Sequence, residues 1–434
     1  MSISIDTKQQ AQDLLDFIDS SPSPWHAVST TVDILKKNGF KPLLEDQHWD
    51  FGKRGKYYVV RDGASIIAFV IGKESIIEGG FKIVGAHTDS PGLRLKPKAA
   101  YSTEGFAQLG VEVYGGPILA TFTDRDLSIA GRVVVQNGST LETHIVRLKE
   151  SIVRLPNLAI HMNREVNEKG LVLNKQTGLP LIFGFAADSA EAHAQLTQTL
   201  ANELNIKPDD ILTWDLTVYD TQKGSLWGAK QEFIANSQLD NLASCHAALT
   251  ALLATENPAS TSICAFFDHE EVGSESATGA SGSFMRDVLQ RIFNHANTNE
   301  EDRLRSIANS FLISADMAHA YHPNHPSAYE PHHHATVNQG PVIKTNANQR
   351  YSTNADTAAR FIQLCKQAKV PYQAYSHRTD LGCGSTIGPT LAAQLGMPTV
   401  DIGNPMWAMH SIRESAGAID HGYMIDVLKQ HFQS

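Results

Sequence analysis

The chain has 434 residues, 42% hydrophobic and 19% charged, the make-up of a globular protein with a sizeable core and a length that suits two domains. A formal net charge of -10 and the lack of any basic tract argue against nucleic acid or an anionic membrane as partner, so an acidic ligand has to be met by a local cation. Met1 to Leu15 is polar, with Asp6, Lys8 and Asp13, and no apolar stretch reaches membrane-spanning length, which makes the cytoplasm the expected compartment.

In chain order, the pattern predicts helices over 7–19 and 25–38, the second closed by Gly39, where glycine suits a left-handed cap. The segments "KYYVV" and "SIIAFVIG" flank the turn "RDGA" and read as a hairpin, and "FKIVGAHTD" follows as an apolar strand that ends in charge. From about 94 to 233 the texture is β-rich, with "VEVYG", "GRVVVQNG", "HIVRLK" and "WDLTVYD" and one helix near 190–205. Beyond 234, helices and strands alternate: "NLASCHAALTALLAT" precedes "STSICAFF", helices around 283–308 precede "SFLISAD", a helix at 355–368 precedes "PYQAYSH", and "PTVDIG" precedes a last helix near 420–432. Such alternation predicts an α/β fold whose central sheet is mostly parallel and covered by helices. The expected organisation is a discontinuous domain, 1–93 and 234–434, interrupted by an inserted β-rich domain at 94–233.

Four cysteines in so long a chain are too few for a disulfide framework and lack the paired spacing of a structural zinc site. The 19 histidines say more. In open α/β sheets ligands bind beyond the carboxyl ends of the strands, and three apolar strands end there in candidate metal ligands: His87 and Asp89, Glu270 and Glu271, Asp316 and His319. Asp240 in "NSQLDNL" and His410 in "WAMHSIRE" join them. Imidazole and carboxylate without thiolate suit zinc, with manganese or cobalt as substitutes, and the ligands outnumber the needs of one tetrahedral ion. On an extended backbone, Glu270 and Glu271 are expected to point to opposite sides, one towards a metal and the other free to act as general base. The His- and Pro-rich stretch "YHPNHPSAYEPHHH", 321–334, reads as a solvated loop, with accessory metal binding as the alternative.

"HEEVG" is not a His-Glu-x-x-His zinc helix, because Gly273 stands at the second histidine's place, and "GASGS" lacks the last glycine of a nucleophile elbow. The residues by themselves fit a dinuclear-metal hydrolase of peptides or of other amides.

The motifs "SPSPWHAV", "VGAHTDSPGLRLKP", "NLAIHMNREVNE", "SQLDNL", "FDHEEVGS", "SADMAHAYHPN", "GPVIKTNANQRYSTN", "GSTIGP" and "MHSIRE" run essentially end to end. With them the chain resembles the aspartyl aminopeptidases, the eighteenth family of metallopeptidases. The resemblance implies a zinc exopeptidase acting on peptides with a free N-terminus and preferring Asp or Glu there. It implies an inserted dimerisation domain and assembly from dimers into dodecamers. Two zinc ions per subunit are implied, Asp240 bridging them, His87 and Asp316 completing one site, Glu271 and His410 the other. Glu270 is then the base for a metal-bridged water, and Asp89 orients His87. His161, after the run Leu155 to Ile160 on what reads as a strand, is implied to reach a neighbouring subunit's site, or to serve as a further metal ligand. Lys344, Tyr351 and His319 fall to the substrate, with Lys344 the local cation for an acidic side chain.

Overall fold

A computed structural model describes residues 4–52 and 54–434. The fold is mixed α/β and divides into two compact units, one formed by 1–89, 224–409 and 414–434, the other by 90–223 and 410–413.

The larger unit is built on a nine-stranded sheet in the order Lys41–Pro42, Lys56–Arg61, Ser65–Val70, Thr261–Phe267, Phe81–His87, Phe311–Ala315, Thr399–Gly403, Val342–Thr345 and Gln373–Ser376. Lys56–Arg61 and Ser65–Val70 form the expected hairpin, turned by Asp62 and Gly63 at positive φ. At the centre, Phe81–His87 lies parallel to both neighbours, with Phe267 opposite His87 and Ser314 opposite Gly85. Thr261–Phe267 and Phe311–Ala315 are buried at every position, as strands covered on both faces must be. One core cluster gathers Leu14, Phe17, Leu249, Leu252, Cys264 and Phe432, and another gathers Phe69, Phe81, Ile263, Phe267 and Phe284, so a helical layer covers each face.

The helices start where the sequence supplies caps. Ser4, Ser23, Asn299 and Asn354 each accept a backbone N–H from the first turn of the helix that follows. Leu239–Leu253 lacks such a cap and begins irregularly, with Gln238 in the left-handed region and Asp240 outside helical angles. A second, five-stranded sheet joins Ser225–Trp227, Phe233–Asn236, Glu414–Gly417, Pro405–Trp407 and Ala318–His319.

The smaller unit has its own core, with Leu93, Leu109, Ile129, Val133, Leu196 and Leu216. Its six strands, all paired antiparallel, run in the order Thr140–Arg147, Leu127–Asn137, Ile211–Asp220, Gly92–Thr103, Phe106–Tyr114 and Leu181–Phe185. Helix Ser189–Leu204 contributes Ala192, Leu196, Leu200 and Ala201 as its buried side. No helix among the described residues is long and apolar enough to cross a membrane.

Candidate metal centre and active site

Three parallel neighbours end side by side, and each delivers polar groups at its carboxyl end. His87 closes the central strand, Asp316 follows Ala315 on one side, and Glu270 and Glu271 follow Phe267 on the other. Adjacent strands lie about 4.8 Å apart, so side chains at three neighbouring ends can share one small volume. His87 Nε2 stands 3.5 Å from Asp240 Oδ1, 3.6 Å from Asp316 Oδ1 and 4.0 Å from Glu270 Oε2. Ligand atoms of His87, Asp240 and Asp316, and again of His87, Glu270 and Glu271, lie within 4.8 Å of one another.

Asp240 reaches this volume from the irregular start of helix Leu239–Leu253. Its backbone N–H donates to Glu414 Oε2 at 3.0 Å, and the amide of Asn241 donates to the Ala315 carbonyl at 2.8 Å, which ties the helix start to the strand that carries Asp316. Neither Glu414 nor Asn241 was expected from the sequence, since each finds its partner only through the fold.

Asp89 is fully buried and does two things. Its Oδ1 lies 3.4 Å from His87 Nδ1, which also contacts the Asp89 carbonyl at 3.0 Å, so the ring is held with Nε2 towards the carboxylates. Its two carboxylate oxygens also accept the backbone N–H groups of Glu270 and Glu271, both at 3.1 Å. That second role fixes the glutamate pair itself. The pair does not sit on extended backbone as expected: His269 turns left-handed at φ 63°, Glu270–Val272 form a single 3-10 turn, and Gly273 ends it at φ 99°. Of the four ionisable residues after Phe267, the first two are structural. Asp268 is buried and accepts the His269 N–H, and His269 Nδ1 contacts the hydroxyls of Ser276 and Thr278.

The electrostatics of the cluster favour a positive charge. Burial alone would lower the pKa of His87, but Asp240, Asp316, Asp89 and Glu270 overcome it and hold the ring well above its usual range. Burial and neighbouring carboxylates raise Glu270 to about 8, against the pull of His87, and push Glu271 well up. A buried set of carboxylates that repel one another around an imidazole is what a divalent cation would neutralise, and imidazole with carboxylates suits zinc.

The other expected residues are placed as follows. His410 belongs to the smaller unit, where its Nδ1 lies 3.2 Å from the Gly116 carbonyl. Lys344 is buried rather than solvated: its ammonium donates to the carbonyls of Asp316 and Met317 at 2.8 and 3.1 Å, lies 3.8 Å from Asp316 Oδ2, and sits 5.2 Å from the ring centre of Tyr351. Tyr351 is buried, and burial together with a hydrogen bond to Cys383 pushes its phenol up. His319, three residues beyond Asp316, lines a cavity of about 230 Å³ with Tyr329, Tyr375, His377 and Trp407. His161 lies in an exposed turn of the smaller unit and not on a strand: Ala159 accepts the Met162 N–H, and of the apolar run before His161 only Leu155 is buried, so the run leaves the core at its first residue. The stretch 321–334 brings no three candidate ligands together among the described residues.

Residues 17–432 match the family model described as aminopeptidase I zinc metalloprotease (M18). The chain is 46% identical over 425 residues to a probable M18 family aminopeptidase 2 of Ectopseudomonas mendocina (strain ymp), covering 98% of each. Among solved structures it resembles a chain of the Ape4 and Nbr1 complex at a TM-score of 0.96 and 39% identity, covering all of this chain and 88% of that one. It also resembles mApe1 of the S. cerevisiae dodecamer at a TM-score of 0.85 and 29% identity, covering 97% and 96%. The strand-end cluster of imidazole and carboxylates and the near full-length match agree: the chain belongs to the M18 family of zinc metalloproteases and is a metallo-aminopeptidase.

Proposed function

We propose that the protein removes the N-terminal residue of peptides, with a preference for Asp or Glu, and that Glu270 is its general base. The observation that carries this reading is the division of labour within one turn: Glu270 and Glu271 share the backbone clamp of Asp89, and both carboxylates lie with His87 in the cluster. One can hold metal while the other moves a proton. His87, Asp240 and Asp316 would hold one zinc ion, and Asp240, Glu271 and His410, the last on the family resemblance, a second. Zinc, when bound, polarises the scissile carbonyl and acidifies water. Glu270 takes the proton of the attacking water and returns it to the leaving amine. Asp89 keeps His87 Nε2 and the Glu270 turn in place throughout. The carboxylates also offer partners for the free amino terminus, which limits cleavage to the first residue.

The acidic preference is supported by Lys344, a buried ammonium in a chain of net charge -10 that lies 5.2 Å from the Tyr351 ring centre, and by His319, which lines a cavity with Tyr375, the strand partner of Lys344. His161, exposed on the smaller unit, is proposed to enter a neighbouring subunit's site, with the smaller unit as dimerisation domain, a dodecamer like that of mApe1 as the final assembly, and the cytoplasm as its place.

The test is Glu270→Gln assayed on aminoacyl amides of Asp, Glu, Leu and Lys beside an N-acetylated control, with zinc content measured. The amide keeps the shape and cannot accept the proton, so turnover should fall by about 10²–10⁴-fold with zinc retained. Full turnover at full zinc occupancy would remove Glu270 from the role, and cleavage of the acetylated control at the same rate would turn the reading towards a deacylase.

A further inference from the structure

Asp401 lies in the middle of strand Thr399–Gly403 and is completely buried. A buried carboxylate is costly unless its oxygens are satisfied, and here they are satisfied by hydroxyls and a backbone amide from two separate loops. Oδ2 accepts the Ser352 N–H at 2.6 Å and the Ser352 hydroxyl at 2.5 Å, while Oδ1 accepts the Thr386 hydroxyl at 2.6 Å. The backbone N–H of Asp401 donates to Thr353 Oγ1 at 2.9 Å, so one residue holds 352 and 353 from both its side chain and its main chain. Thr386 is in turn the N-cap of helix Ile387–Leu395, accepting the Gly388 N–H at 3.2 Å, and a Cβ on Gly388 would come within 2.4 Å of either carboxylate oxygen. The glycine is required there because the helix start closes directly over Asp401. A bond from the Ser385 hydroxyl to the Arg350 carbonyl, 3.0 Å, adds a second tie between the same loops.

What these ties hold is the residue before Ser352. Tyr351 packs over the Lys344 ammonium, and the Cys383 thiol, three residues before Thr386, is close enough to raise the Tyr351 phenol. Lys344 in turn holds the carbonyls of Asp316 and Met317. The two loops are remote in sequence, and Asp401 is their common anchor.

We propose that Asp401 is a positioning residue of the active site, which sets the Tyr351 ring over Lys344 by clamping the 350–353 and 383–388 loops to one carboxylate. The proposal rests on the reading of Tyr351 as a substrate-facing group. Asp401→Asn places an NH₂ against the donors of Ser352 or Thr386, so the clamp opens on one side while the volume stays the same. A simple structural role would lower the melting temperature and the active fraction and leave the KM of the surviving enzyme alone. A positioning role raises KM or lowers kcat per zinc-loaded subunit, because small misplacements of a site wall cost about 10–100-fold.

The experiment is a double-mutant cycle of Asp401→Asn and Tyr351→Phe, with kcat and KM determined per bound zinc, plus the labelling rate of Cys383 by a maleimide. Cys383 is the one cysteine of the four that is not buried, and its neighbours Gly382 and Gly384 have open space beside them. Expected are an Asp401→Asn loss of about ten-fold in kcat/KM, little further loss when it is added to Tyr351→Phe, and faster labelling of Cys383. Ser352→Ala, which removes one donor and leaves the fold its other ties, should give the same pattern more weakly and serves if Asp401→Asn does not fold. Additive losses, or an unchanged labelling rate in both variants, overturn the proposal. Full turnover by Tyr351→Phe alone would fail the reading of Tyr351 first, and the proposal with it, since nothing would then be left to position.

Discussion

Buried histidines occur in two regions of the larger unit, and their surroundings push them in opposite directions. His87 ends the central strand among carboxylates and is held well above its usual pKa. His246, His421 and His431 lie among apolar side chains, where burial lowers His246 to about 4 and His431 to about 3 and takes His421 well below its ordinary value. His431 even bonds through Nε2 to the Ile83 carbonyl of the strand that His87 closes. Burial alone therefore makes histidine neutral and structural. Only the convergence of Asp240, Asp316, Asp89 and Glu270 turns the same residue into part of a centre that seeks positive charge.

The largest effect should come from breaking that convergence at its middle. Asp240→Ala removes the carboxylate nearest His87 Nε2 and the one proposed to be shared between two ions, so zinc should be lost and turnover should fall by more than about 10³-fold. Chelation should lower the melting temperature of the parent protein, since a ligand at 1,000 times its Kd stabilises by about 4 kcal/mol, and should leave Asp240→Ala unmoved. A variant that kept its zinc and its response to chelator would show that the centre does not depend on Asp240.

Much of this centre was legible in the sequence, for a definite reason. Parallel strands are apolar runs, and a run that stops abruptly in His, Asp or Glu marks the carboxyl end where ligands gather, so His87, Glu270 and Asp316 could be picked out and pooled before the sheet order was known. The local geometry was less legible. The 3-10 turn under Glu270 and Glu271 depends on His269 adopting positive φ, which no pattern in "FFDHEE" announces. The exposed turn at His161 follows from Leu155 being the last residue the core covers. The supports were hidden altogether: Glu414 meets Asp240, Asn241 meets Ala315 and Asp401 meets Ser352 across 174, 74 and 49 residues of chain. Such partners become visible only once strands and helices are packed.

A smaller effect would sharpen the other half of the comparison. His246 Nδ1 and His421 Nε2 share a hydrogen bond of 2.8 Å between stacked rings, with Phe17 against His246 and the charge of Asp13 opposing in part the effect of burial on it. Because their folded pKa values lie below the unfolded value near 6.5, the unfolded chain binds protons that the folded one refuses as the pH falls from 6.5 towards 4. Stability contributed by the neutral pair is present above that window and lost on acidification, at about 1.4 kcal/mol per pH unit for each histidine. Asp420, raised to about 7 by burial while it accepts the N–H groups of Asn338 and Gly340, acts in the opposite sense over the same range. The pair therefore has to be read by difference. Urea midpoints at pH 6.5 and 5 should fall less in the double variant His246→Leu/His421→Leu than in the parent. An equal fall in both proteins would mean that the pair titrates in the folded state as it does in the unfolded one.

The smallest effect is expected where histidines are most concentrated. His332 and His333 are exposed in the 321–334 stretch, and their contacts with Glu330 are local: His333 Nδ1 lies 2.8 Å from Glu330 Oε2, and the same oxygen accepts the His332 N–H. The pairing lowers the Glu330 carboxyl below its usual range, but both histidines are exposed, so solvent and salt screen it. It differs from His87 in both respects that matter, being hydrated and facing one carboxylate where His87 is buried and faces four. Replacing both histidines by serine should leave zinc stoichiometry unchanged and turnover within about two-fold, as for surface substitutions away from a site. Zinc analysis of the variant decides it. A lost equivalent of metal would show that an exposed pair of histidines can do here what, by the contrast drawn above, requires a buried convergence of carboxylates at the ends of parallel strands.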